Sequence, residues 1–199
     1  QVYVPADYRT RASWPIILFL HGGGQRGSDG LLQTTIGLAA AIRQDPTRFP
    51  AIAVFPQAPA DSLWAGTPAD MAFAALQQAM GEFHADPERV YLTGLSMGGN
   101  GVWYLAYRHP ELFAAVVPIS GYVEAFPDEH PAFPVVPDAT SAPLQALASR
   151  LRQTPIWIFH GEMDAVVPVD RARDPWAALH TVAADAQYTE YLGMTHNVW

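Results

Sequence analysis

The amino-acid sequence predicts an α/β fold, a doubly wound and mostly parallel sheet formed by one domain over residues 1–199. Three observations carry this expectation. Short apolar runs alternate with stretches of helical periodicity, the pattern of strand–helix–strand units. Several of those runs are continuous and partly β-branched, as strands covered on both faces are. Half the residues are hydrophobic and only 15% are charged, which gives a chain of this length one sizeable core.

Taken in order, residues 2–4 read as a short edge strand, and residues 5–13 as a polar turn. Residues 16–20 form a buried strand that runs into His21-Gly22-Gly23-Gly24-Gln25-Arg26-Gly27. A helix is expected over 35–43 and a buried strand over 51–55. Residues 69–84 carry Phe73, Leu76, Met80 and Phe83 at helical spacing. Asp86-Pro87 reads as a break before a strand at 90–92. A helix with Val102, Leu105 and Ala106 inward then runs from Ser96 to about His109, where Pro110 stops it. Strands are expected at 115–119, 156–160 and 188–192, with a helix over 171–184. The segment 121–142 has prolines at 127, 131, 134 and 137, and is either a surface excursion or a wall over a site.

Composition excludes several functions. Without cysteine there is no disulfide, thiol nucleophile or thiolate metal site, although compartment does not follow from that. All eleven basic residues are arginine, so Walker-lysine and Schiff-base chemistry are excluded. They are scattered in a chain of net charge −8, which disfavours nucleic-acid binding. No apolar run is long enough to span a bilayer, and the first residues lack a signal-peptide layout. No metal or cofactor motif stands out.

The chemistry centres on Gly94-Leu95-Ser96-Met97-Gly98, a Gly-x-Ser-x-Gly between a strand and a helix. Glycines at 94 and 98 let Ser96 occupy a strained turn, with its hydroxyl clear of the sheet and the Met97 N–H at the helix start. Serine needs an imidazole to take its proton and a carboxylate to orient that imidazole. His196, on a loop directly after the last strand, is the expected base. His130 lies in the proline-rich segment, His160 looks like a brace of the turn that follows it, and His180 falls within a helix. Asp164 is the expected acid, with Glu162 the runner-up; Asp170 and Asp174 read as charges at a helix N-terminus. The glycine loop formally matches Gly-x-Gly-x-x-Gly, but the next strand ends in Phe55-Pro56-Gln57 without the acidic residue that dinucleotide binding requires. It fits better as an oxyanion hole, with the N–H of Gly23, or alternatively Gly24, acting beside that of Met97. His21 is expected to brace this loop.

With these residues assembled, the chain resembles the α/β-hydrolase superfamily over essentially its whole length, without a large cap domain. Within it, the chain looks similar to compact serine esterases of the polyhydroxybutyrate-depolymerase-like, feruloyl-esterase-like and predicted-peptidase group. Four blocks carry the resemblance: residues 20–28, Gly94-Leu95-Ser96-Met97-Gly98-Gly99, His160-Gly161-x-x-Asp164 with Val167-Pro168, and Gly193-x-x-His196-Asn197-x-Trp199. The resemblance implies Ser96, Asp164 and His196 as triad, main-chain donors at Gly23 and Met97, and no cofactor. It also favours a secreted protein. Such proteins usually continue past the histidine into a final helix, so a domain trimmed at both ends, belonging to a longer multidomain protein, is expected.

Trp64, Trp103 and Trp199 are candidate aromatic walls of the site, Trp199 foremost, and Gln57 is a candidate polar contact. The expected substrate is a small-molecule or polysaccharide-linked ester, short-chain or aryl. A peptidase of the same fold and a non-catalytic carbohydrate-binding domain are the competing readings.

Overall fold

The computed structural model describes residues 1–124, 126, 134–136 and 141–199. His130 and the prolines at 127, 131 and 137 lie outside the described residues. The elements run β1 (Val2–Tyr3), β2 (Trp14–Leu20), α1 (Gly37–Gln44), β3 (Ile52–Val54), α2 (Thr67–Glu82), β4 (Ala85–Leu95), α3 (Met97–Arg108), β5 (Ala115–Ile119), α4 (Pro143–Arg150), β6 (Ile156–Gly161), α5 (Asp170–Thr181) and β7 (Ala186–Tyr191).

Among the described residues the strands form one open seven-stranded sheet in the order β1-β3-β2-β4-β5-β6-β7. Only the edge strand β1 is antiparallel; β2 pairs in parallel with β3 and β4, and the ladder continues in parallel to β7. The alternation of β2 explains how the sheet is covered. Trp14, Ile16, Leu18 and Leu20 face a core shared with Leu76 of α2, Val102, Trp103 and Leu105 of α3, Leu147 of α4 and Leu179 of α5. Phe19 points the other way, into a smaller cluster with Ala39 and Ile42 of α1, Phe55 and Leu95. Each fully buried large apolar side chain contributes roughly 1.5–3 kcal/mol, so the larger cluster dominates stability. Every residue of α3 from Met97 to Ala106 is buried, which is why this helix has no polar stripe.

Two elements differ from the sequence expectation. Asp86-Pro87 does not precede β4 but bulges within it: Trp14 is paired with Ala85, and the next pair is Ile16 with Val90. The bulge closes on itself, since Asp86 accepts from the Glu88 N–H at 3.0 Å and from Arg89 Nε at 2.7 Å. Helix α4 was not expected, because the prolines before it mask its start, yet Pro143 fits the first helical turn and Leu147 and Ala148 are buried. In the 121–142 segment, Val135 and Val136 are buried in the main core. Among the described residues no helix is long and apolar enough to cross a membrane.

Candidate active site

The serine turn is built by close backbone approach. β4 ends at Leu95, Ser96 takes φ +56° and ψ −120°, and α3 starts at Met97. A left-handed φ on a non-glycine residue costs on the order of 1–3 kcal/mol, so the surroundings must hold it. The Ser96 N–H donates to Ile119 O of β5 at 2.9 Å, and Ser96 O accepts from the Asn100 N–H at 3.1 Å. At position 98 a Cβ would fall 1.9 Å from Leu20 O, so only glycine lets α3 lie this close to the end of β2.

Three side chains from three strand ends meet at this turn. His196 Nε2 lies 2.9 Å from Ser96 Oγ, and His196 Nδ1 lies 2.7 Å from Asp164 Oδ2. With Nδ1–H donating to the carboxylate, Nε2 is left to accept the serine proton. Asp164 is almost fully buried. Its Oδ1 takes the N–H groups of Val166 (2.9 Å) and Val167 (2.8 Å), while His160 Nε2 stands 3.2 Å from Oδ2. His160, fully buried, also reaches Val167 O at 2.8 Å, so it ties the acid loop to β6 as expected.

The loop bearing His196 is held from several directions. Glu162 Oε2 accepts the Gly193 N–H at 2.8 Å, which places the runner-up acid in a bracing position away from the imidazole. Met163 N–H donates to Met194 O at 2.9 Å, and Ser120 Oγ donates to His196 O at 2.9 Å. A Cβ at Gly161 would fall 2.1 Å from Thr195 O, so glycine at the end of β6 is a condition for the histidine loop to close. Trp199 sits edge-on to His196 with ring centroids 5.3 Å apart, packed beside the smaller core cluster.

The glycine loop after β2 is rigid for a different reason. His21 is fully buried, and burial pushes its pKa down. Its Nε2 accepts the Ala58 N–H at 3.0 Å, so Nδ1–H donates to Gly22 O at 2.7 Å. Trp64 Nε1 donates to His21 O at 2.9 Å, its ring packed edge-on against the imidazole. Trp64 and Trp103 are buried in the core, so neither is an aromatic wall. Gln57 is likewise no substrate contact: its Oε1 takes the Gly30 N–H at 2.7 Å, and its Nε2 donates to Gln25 O and Asp29 Oδ1. Both corrections have one cause. An indole N–H or a carboxamide near a site is first spent on satisfying the backbone of the loops that shape it.

Ser96, Gly23 and Met97 line one open cleft of about 400 Å³. Gly24 is exposed and does not line it. Arg26, Asp61, Ser62 and Leu63 lie on one side of Ser96, on the loops after β2 and β3. Tyr122, Phe126, Val166 and Val167 lie on the other, on the loops after β5 and β6. Arg26, Tyr122, Phe126 and the Ser120 contact were not anticipated from the sequence. The one usable signal was position, since each follows a strand that points at the site.

The model of the Esterase family matches residues 1–196. A search of curated proteins found no match. Among solved structures, a thermostable esterase shares 30% identity with a TM-score of 0.78 over 96% of this chain, which spans only 50% of that protein. The fluorophosphonate-binding serine hydrolase FphF of Staphylococcus aureus is 18% identical (TM-score 0.73, 98% of this chain and 84% of that one). Acetyl xylan esterase from Aspergillus awamori is 17% identical (TM-score 0.71, 99% and 88%). The open parallel sheet, the serine turn and these matches lead to one conclusion: the chain belongs to the Esterase family and has an α/β-hydrolase fold.

Proposed function

We propose that this domain hydrolyses carboxylic esters through a covalent acyl-enzyme on Ser96, with His196 as the base and Asp164 as the acid that orients it. The observation that carries the proposal is the hydrogen-bond chain Ser96 Oγ, His196 Nε2, His196 Nδ1, Asp164 Oδ2, with links of 2.9 and 2.7 Å. Ser96 Oγ attacks the ester carbonyl while its proton passes to His196 Nε2. The oxyanion is taken by the N–H groups of Gly23 and Met97; one such donor contributes about 3 kcal/mol of transition-state stabilisation. Met97 opens α3, so its N–H is one of the unpaired donors of a helix start. His196 then protonates the departing alcohol, and water repeats the sequence to release the acid. Asp164 stays ionised and stabilises the imidazolium formed in each half-reaction.

The cleft favours small acyl groups or aryl groups over long chains. It is open, about 400 Å³ in volume, and its apolar side is short, formed by Tyr122, Phe126 and two valines. Aromatic rings there suit an aryl ester of feruloyl type. The test is a series of 4-nitrophenyl esters of increasing acyl length, run beside methyl ferulate. Acetyl and butyryl esters should be cleaved faster than the decanoyl ester, and Ser96→Ala should lower kcat by about 10⁴-fold or more. Wild-type rates in the alanine variant, or no turnover of any ester, would sink the proposal.

A further inference from the structure

The polar side of the cleft holds a cation with no carboxylate partner among the described residues. Arg26 lines the same cleft as Ser96 and Gly23 and is only partly buried. Its Nε donates to Gly23 O at 2.9 Å, and Nη1 makes a long contact of 3.5 Å to Ser62 O. No further partner is found among the described residues for Nη2, which would lie 3.7 Å from a Cβ built on Gly23. Nor does any carboxylate among them come within ion-pair distance of the guanidinium. Asp61, exposed on the same side, is not paired with it. Bracing Gly23 O needs only one of its five donors.

The geometry points to Arg26 as a specificity residue that receives a carboxylate on the substrate, placing an anionic substituent on the β3 side of Ser96 and the apolar part of the ester against Tyr122 and Phe126. This rests on the esterase reading and narrows its substrate class to esters bearing a carboxylate. A planar guanidinium lining the cleft, with only its Nε in a short hydrogen bond, matches a carboxylate by charge and by shape. A neutral alkyl ester would leave the remaining donors without a partner that water does not already supply.

The test compares charged and neutral esters of matched size at low salt. One arm varies the acyl group: mono-4-nitrophenyl succinate against 4-nitrophenyl butyrate, each corrected for uncatalysed hydrolysis. The other varies the alcohol: 4-carboxyphenyl butyrate against 4-carbamoylphenyl butyrate. In at least one arm the anion should be preferred in kcat/KM by about tenfold or more, and the preference should shrink as salt is raised. Arg26→Gln should erase that ratio, whereas Arg26→Lys, which keeps the charge but loses the Nε brace, should retain it while kcat falls on every ester. The inference is overturned if both arms favour the neutral ester, or if the ratio survives in Arg26→Gln. Failure to cleave even the neutral esters would instead overturn the esterase reading beneath it.

Discussion

Asp164 and Glu162 sit two residues apart on the loop after β6, and their hydrogen bonds separate their roles. Asp164 spends Oδ1 on two main-chain N–H groups and turns Oδ2 to His196. Glu162 holds the Gly193 N–H instead. The shorter side chain reaches the imidazole because the loop doubles back at Gly161, where the Asp164 N–H donates to Gly161 O at 3.2 Å. Asp164→Asn keeps the shape but favours the wrong imidazole tautomer, and should cost about 10⁴-fold in kcat with KM little changed. Glu162→Gln keeps an acceptor for Gly193 and should stay within about tenfold of wild type. Steady-state kinetics on one nitrophenyl ester decide this, and the reverse ranking would exchange the two acidic roles. Much of this was legible in the sequence, because chain order and strand ends select Ser96, Asp164 and His196. Trp64 and Gln57 were misread because residue type alone does not tell whether a donor faces a ligand or the loop's own carbonyls.

At the level of elements, apolar runs located the parallel strands, since buried strands have few other ways to be written. Irregularities were harder to read. A proline normally ends a strand, and only the pairing of Trp14 with Ala85 reveals that β4 continues across its bulge. Helix α4 follows a proline-rich stretch whose local signal is that of a loop. The far edge of the sheet carries a cross-link between α5 and β7 that no local pattern announces. Arg173 grips both oxygens of Glu190, at 2.9 and 2.6 Å, and Tyr188 donates to Oε2 at 2.5 Å. Chiefly through the Arg173 hydrogen bonds, the Glu190 carboxyl is held down at about 2, against an ordinary value of 4.5. Burial first, then the bond to Glu190, pushes the Tyr188 hydroxyl up. Because the folded-state value of Glu190 is the lower one, its contribution to stability is present above pH 4.5 and is lost as the pH falls towards about 2. Glu190→Gln should therefore be less stable than wild type at neutral pH, with the two unfolding midpoints converging through that acidic window. Midpoints that run parallel down to pH 2 would show that the link contributes nothing.

Across the whole molecule, the site depends on residues far apart in the chain. Ser96 and His196 are 100 residues apart, and His196 and Asp164 are 32 apart. The parallel sheet brings them together because each loop leaves the same end of its strand, with β4 central and β6 two strands away. The same arrangement puts Arg26 and Asp61 on one side of the serine and Tyr122 and Phe126 on the other. At the centre of this site stands Ser96, proposed as a nucleophile activated by His196. The most direct measurement is intact-protein mass after exposure to a fluorophosphonate, with wild type, Ser96→Ala and His196→Ala compared. The expected result is a single covalent adduct on wild type, none on Ser96→Ala, and labelling of His196→Ala slowed by orders of magnitude. An unlabelled wild type, or equal labelling of Ser96→Ala, would contradict it.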